Sequence, residues 1–186
     1  MLTFAVVKSK IQMIMKKILF SIIAMMAVIT VQAQSIHASW HSLQPVVETE
    51  ADGSFTAQSF TYTFNPDGTY SLVNELTIAS EPAQTMEQEV ATNIKVKGTY
   101  TYDGDKLTLK PNMDTYKAEL ISISQNGRVT NSSSVKTSVN TKLNSRDFKA
   151  KFNGTKTYTV RVGEASMTMK DGGQEFNYMR FGTIKD

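Results

Sequence analysis

The chain has no cysteine among its 186 residues. Disulfide staples and thiolate zinc sites are therefore excluded, as is the acylated cysteine that follows the leader of a bacterial lipoprotein. Histidine is almost as scarce. His37 and His41 are the only two, four residues apart. That spacing shares one face of a helix, but their segment reads as a strand, where four residues span about 13 Å. No metal site is expected, and no cofactor. Neither histidine has a recognisable serine partner, and the acidic residues fall mostly in turns, so nothing marks an enzyme. Long apolar runs are absent with one exception, Ile18 to Val31.

That exception has the form of an export signal. Lys16-Lys17 precedes it, and Val31-Gln32-Ala33 offers small residues for cleavage. A spanning helix needs about 20 apolar residues, which favours a cleaved leader over a retained anchor. The expected division is a signal peptide over 1–33, with 1–14 as an over-extended start before Met15, and one domain over 34–186. The product is expected to be exported, periplasmic or extracellular. Removing the leader takes Lys8, Lys10, Lys16 and Lys17 and no acid, which leaves sixteen basic against seventeen acidic residues, or −1. The sequence pI near 9.0 belongs to the leader and is no argument for nucleic acid.

What fills the remaining chain is alternation. In Phe60-Thr61-Tyr62-Thr63-Phe64, aromatic residues recur at period two and share one strand face. Asn65-Pro66-Asp67-Gly68 then supplies a tight reversal into Tyr70 and Leu72. The unit repeats. Ile94 to Tyr102 turns at Asp103-Gly104 into Leu107-Thr108-Leu109, a strand that Pro111 should end. Tyr116, Ala118 and Leu120 open another, whose apolar phase slips to Ile121 and Ile123 and so predicts a bulge. Asn126-Gly127 reverses it. Val135, Val139 and Leu143, then Phe148, Ala150 and Phe152, read as further strands, with Asn153-Gly154 as a hairpin turn into Tyr158, Val160 and Val162. Lys149 and Lys151 should then face outward. Ala165 to Met169 and Phe176 to Phe181 complete the set. Pro45–Ala57 reads as a polar connection, and residues 80–89 as a short helix or a loop. No extended helical periodicity competes. The expected fold is all-β, about eight to ten short antiparallel strands forming an up-and-down barrel or a sandwich.

Several of these residues together resemble a family. Trp40 on the first strand, the run Phe64-Asn65-Pro66-Asp67-Gly68-Thr69-Tyr70, the run Gly98-Thr99-Tyr100-Thr101-Tyr102-Asp103-Gly104, and Arg180 on the last strand look like the lipocalin-like domains of secreted bacterial proteins. The lipocalin Gly-x-Trp stands here as Ala38-Ser39-Trp40. The resemblance implies a calycin-type barrel whose floor is closed by Trp40 against Arg180. It also implies non-catalytic binding of a small apolar or amphipathic molecule.

The inward-facing residues expected to line such a cup are Phe60, Tyr62, Phe64, Tyr100, Tyr102, Phe148, Tyr158, Phe176 and Tyr178, with Tyr70 and Phe152 on the same faces. An eight-stranded barrel is either filled by such side chains or holds one small ligand. A solid interaction module acting through an outer face is the alternative. An outer-membrane barrel is less favoured, because strands such as Phe148–Phe152 fall short of the about 9–11 residues that spanning requires. Charge is segregated as well. Residues 34–94 carry eight acids and no Lys or Arg, while 128–161 carry eight basic residues and only Asp147. The two halves are expected to attract, or the basic flank to favour an anionic partner such as a fatty-acid headgroup.

Overall fold

The computed structural model describes residues 35–49, 54–80 and 88–183. The expected leader and most of the 80–89 segment lie outside the described residues. One antiparallel sheet of ten strands dominates. In chain order these are β1 (Ala38–Ser42), β2 (Val46–Thr49), β3 (Phe55–Phe64), β4 (Thr69–Ser80), β5 (Gln88–Tyr102), β6 (Lys106–Gln125) and β7 (Arg128–Val129). Two helices follow, α1 (Ser133–Leu143) and α2 (Arg146–Ala150), before β8 (Lys156–Val162), β9 (Ser166–Asp171) and β10 (Gln174–Thr183).

Eight of the strands close into a ring, β1-β10-β9-β8-β6-β5-β4-β3 and back to β1. Two short seams hold it shut. Ser39–His41 pairs with Thr61–Thr63, and Lys106–Leu109 pairs with Lys156–Thr159. β2 adds to the outer half of β3, and β7 to the end of β6. The β1 burial alternation explains the first seam: Ala38, Trp40 and Ser42 are buried, while Ser39 and His41 are only half-buried on the other face.

The turns follow their sequence signals. Gly68 takes φ +80°, while the Asp67 carboxylate accepts from the Thr69 amide (2.9 Å) and hydroxyl (2.6 Å). Those two bonds hold the Asp67 carboxyl below its usual range. Gly104 takes φ +100°, and Asn126 and Gly127 both have positive φ, as a two-residue reversal demands. The phase slip at Ile121 is a bulge. Ala91 faces Ser122 and Thr92 faces Leu120, which leaves Ile121 unpaired and exposed between the partly buried Leu120 and the buried Ile123.

Four expectations are corrected. Pro111 does not end its strand, since β6 runs on to Gln125. Pro111 comes two residues after the last pairing with β8, where that side of β6 is an open edge and a missing N–H breaks no ladder. Second, Tyr116, Ala118 and Leu120 open no separate strand but continue β6, from which residues 113–116 swell out because Lys95 pairs with Lys117 while Lys97 pairs with Asn112. The Thr115 hydroxyl takes the Lys97 amide at 2.8 Å in place of a ladder carbonyl. Third, Pro45–Ala57 is not only a connection, because β2 and the start of β3 form there.

The fourth correction matters most. Residues 133–143 and 146–150 are helical, not strands. Val135, Val139 and Leu143 stand four apart, as do Phe148 and Phe152, a spacing that satisfies period two and also stacks on one helical face. Ser145 settles the choice for α2: its hydroxyl accepts from the Phe148 amide at 3.2 Å, an N-cap, with Asp147 in the first turn. Asn153-Gly154 accordingly leads from α2 into β8 and joins no strand pair.

Two apolar clusters result. The first fills the ring with Trp40, Phe64, Leu107, Val160, Met167 and Met169, all nearly inaccessible. The second lies where β3–β6 outrun the ring. There Leu76, Ile94 and Val96 meet Leu143, Phe148 and Phe152 from the helical segment. The Tyr116 hydroxyl donates to the Leu143 carbonyl at 2.7 Å, which ties the end of α1 to β6.

Candidate functional site

Between these clusters the molecule is hollow. A cavity of about 750 Å³, partly open to solvent, separates the inner face of β3 and β4 from α2 and the start of β8. Its sheet wall follows from strand alternation. Gln58 pairs with Leu76, Phe60 with Asn74 and Tyr62 with Leu72, and all six side chains line the space. Thr56 and Ile78 extend that wall toward the far end. Its opposite wall is Phe148 and Phe152, whose rings lie 5.9 Å apart. A narrow recess of about 30 Å³ shares Tyr62, Leu72, Phe152 and Lys156 with it and reaches Tyr70 and Tyr158 in the ring.

Polar residues make up half of the lining (Ser54, Thr56, Gln58 and Asn74 beside the charged groups), and the charges are unequal in sign. Lys142, Lys151 and Lys156 stand exposed on the helical side, with Glu48 on the β2 side. The Lys156 ammonium donates to the Lys151 carbonyl at 3.4 Å, and the Lys151 ammonium lies 5.7 Å from the Phe148 ring centre. Among the described residues the salt bridges are Lys95–Glu119 and Lys170–Glu175, so none engages these three lysines. Lys151 belongs to the mouth of the cavity, contrary to its expected place on an outer strand face. The cause is the helical path of 146–150.

On the sheet wall, Asn74 is 1% exposed. Its Nδ2 donates to the Gln58 Oε1 at 3.0 Å, and its Oδ1 has no partner among the described residues. A buried amide oxygen left unbonded costs roughly 1–3 kcal/mol.

The nine residues expected in the cup separate into five places. Phe60, Tyr62 and Phe148 line the main cavity. Phe64 and Tyr178 belong to the ring packing, with Phe64 meeting Tyr100 edge-on at 5.0 Å and Tyr62 meeting Tyr178 edge-on at 5.8 Å. Tyr158 borders the small recess. Tyr100 and Tyr102 are engaged with turns, their hydroxyls donating to the carbonyls of Asn65 and Gly104, each at 2.8 Å. Phe176 borders a separate depression of about 330 Å³ beside Leu43 and Phe60. Leu72, Asn74, Leu76 and the lysines were missed as lining residues. Leu72 to Ile78 share the parity of Tyr70, a signal that points them inward. The lysines are visible only once α2 is known to be a helix.

Burial of tyrosine hydroxyls marks the filled side of the cavity. Desolvation pushes Tyr70 up to about 12 and raises Tyr62, Tyr158 and Tyr178 above the ordinary phenol range. Trp40 pairs with Tyr62 of β3 on one side and with Arg180 of β10 on the other. The guanidinium carbon lies 5.0 Å from the indole ring centre, and Arg180 Nη2 donates to the Ser35 carbonyl at 3.3 Å. The indole N–H donates to the Ile36 carbonyl at 2.8 Å. His41 is spoken for by Thr61, whose hydroxyl lies 2.8 Å from Nδ1. Among the described residues no three His, Asp or Glu side chains gather as a metal site.

A further depression of about 830 Å³ lies on the outer side, bordered by Thr63, Ser71, Lys97, Lys110 and Pro111. It is shallow and carries no aromatic pair comparable to Phe148 and Phe152. No protein-family model matches the chain, and no curated protein matches it at a significant level.

Proposed function

We propose that the chain is an exported, lipocalin-like β-barrel that holds one small apolar or amphipathic molecule and performs no chemistry on it. The observation that carries this reading is the cavity of about 750 Å³ inside the sheet, walled by Phe60, Tyr62, Leu72, Leu76, Phe148 and Phe152. Its size falls within the about 300–1,000 Å³ of small-molecule sites, and its mixture of aromatic, aliphatic and polar side chains suits an amphipathic guest. The ring of eight strands and the Trp40–Arg180 stack support the lipocalin resemblance. The filled half of the ring makes the cup shallow, so the guest sits under α1 and α2.

Membrane insertion is disfavoured on the character of the outer face. β4, β5 and β6 contain 12, 15 and 20 residues, long enough to span, so strand length no longer argues against it. The outward positions opposite the cavity include Thr61, Thr63, Ser71, Glu75, Lys95, Lys97 and Thr99, with Val73 apolar among them, where a lipid-facing strand carries mostly apolar residues. A second reading, a solid interaction module, draws on Met179 and Phe181, which are 50% and 77% exposed on β10.

Native mass spectrometry of the exported protein, purified without denaturation, tests the proposal. A single co-purifying small molecule supports it. An empty protein that takes up none of a panel of apolar probes refutes it and favours the solid module.

A further inference from the structure

We propose that Asn153 is a site of spontaneous modification, where the Gly154 nitrogen closes on the Asn153 side chain and converts it, through a cyclic imide, to aspartate and isoaspartate. The chain carries two Asn-Gly pairs, Asn126-Gly127 and Asn153-Gly154. All four residues are exposed, and glycine puts no side chain in the way of ring closure at either pair. By sequence the two are equals. The fold separates them.

At Asn153 the reacting groups are already together. The Gly154 amide donates to the Asn153 Oδ1 at 2.8 Å. The Cγ to be attacked is bonded to that oxygen, so nitrogen and carbon stand close to the about 3–3.5 Å of a near-attack arrangement. Neither residue belongs to a strand ladder. Asn153 follows α2, its N–H bonded to the Ala150 carbonyl at 3.2 Å, and β8 starts only at Lys156. At Asn126 the same closure is opposed. Gln125 pairs with Arg128 and Ser124 with Val129, and the turn between them holds φ at 51° for Asn126 and 72° for Gly127. An imide ring fixes the asparagine ψ, so closing it there means undoing the reversal. Cations also favour the reaction at Asn153. Lys151 and Lys156 flank it in sequence, and Lys97 and Lys110 share with it the rim of the outer depression, which among the described residues no carboxylate borders. Positive charge stabilises the amide anion through which the nitrogen attacks.

The step needs only water. The Gly154 nitrogen bonds to Cγ and gives up its proton, the Cγ–Nδ2 bond breaks, and Nδ2 leaves with that proton as ammonia. Water then opens the imide at either carbonyl, which restores the nitrogen's proton and leaves a carboxylate. Opening at Cγ gives aspartate, and opening at the main-chain carbonyl gives isoaspartate. Both products put a negative charge between two lysines of the cavity mouth in sequence, where asparagine has none. Isoaspartate also adds one carbon to the main chain between β8 and α2, the helix that carries Phe148.

Incubation of the full chain in neutral buffer, followed by trypsin digestion and mass spectrometry, tests this, because residues 152–156 and 118–128 form separate tryptic peptides. The expected result is conversion at Asn153 at least about fivefold faster than at Asn126 in the folded protein, with the two rates within about twofold of each other in denaturant, where proximity no longer distinguishes them. A folded-state ratio no larger than the ratio in denaturant overturns the inference. Ion-exchange chromatography of the incubated protein gives a second check. Asn153→Gln should abolish the first acidic form to appear, since a glutamine side chain does not close a five-membered ring on the following nitrogen. Persistence of that form in the variant, at the wild-type rate, overturns the assignment to Asn153.

Discussion

A single methyl group added at Gly98 tests how closely β5 packs against β6 and the Tyr70 ring. Gly98 is the residue of β5 opposite Tyr70 on one side and Pro111 on the other. Its φ is not in the left-handed region, so alanine meets no torsional penalty there. The obstacle is space. A Cβ at this position overlaps the Lys110 carbonyl oxygen, comes within 2.9 Å of Pro111 Cα and within 2.7 Å of Tyr70 Cε1. Two of the three obstacles are backbone atoms of the paired strand and cannot rotate away. Overpacking of this kind typically costs about 1–3 kcal/mol, and a rigid obstacle places Gly98→Ala at about 3 kcal/mol. For a domain near 150 residues that corresponds to a fall in Tm of roughly 6–12 °C. Urea unfolding followed by circular dichroism measures it. Gly173→Ala, where the added Cβ meets nothing within 4 Å, is the matched control and should change stability by less than about 0.5 kcal/mol. Tyr70→Ala should relieve only the side-chain part of the clash, so most of the loss persists in the double variant. A Gly98→Ala protein as stable as wild type refutes the close approach of β5 and β6 at this position.

Other outcomes follow from single contacts. Arg180→Ala should destabilise by about 0.5–2 kcal/mol through loss of the stack on Trp40, with Arg180→Lys recovering only part because an ammonium lacks the planar face. Urea unfolding of the three proteins checks it. Ser145→Ala removes the cap of α2 and should cost about 1 kcal/mol, with weaker guest binding because α2 carries Phe148. Alkaline pH gives a third. Tyr62, Tyr70, Tyr158 and Tyr178 keep their protons in the folded state above the ordinary phenol value, so above about pH 10 the unfolded chain binds fewer protons than the folded one. Their stabilising contribution is complete below about pH 10 and is lost toward pH 12, by up to about 1.4 kcal/mol per pH unit for each tyrosine. Denaturant titrations from pH 8 to 11.5 check the slope, and a flat profile contradicts the burial of these hydroxyls.

The ring was legible in the sequence because its strands carry two independent signals. Phe60 to Phe64 alternates, and Asn65 to Gly68 turns, and neither signal depends on distant partners. The Ile121 bulge was legible for the same reason, since a phase slip is local. The lid over the cavity was not. Val139, Leu143, Phe148 and Phe152 fit a strand and a helix equally well by position, and only the Ser145 cap and the open edge of β6 beyond Leu109 decide between them. That one ambiguity carried Lys151 to the wrong side and hid half of the site. Asn74 was hidden differently. It occupies an inward position, but only burial reveals that its amide is incompletely satisfied.

The central claim is that a guest enters between β3–β4 and the helical segment. Methyl-resolved NMR of the full chain titrated with palmitate tests it most directly. The account predicts saturable shifts at Leu72, Leu76 and Ile78, with Val160, Met167 and Met169 in the filled ring unmoved. Shifts confined to Leu43, Val47 and Met179 on the exterior, or none at any methyl, would contradict it.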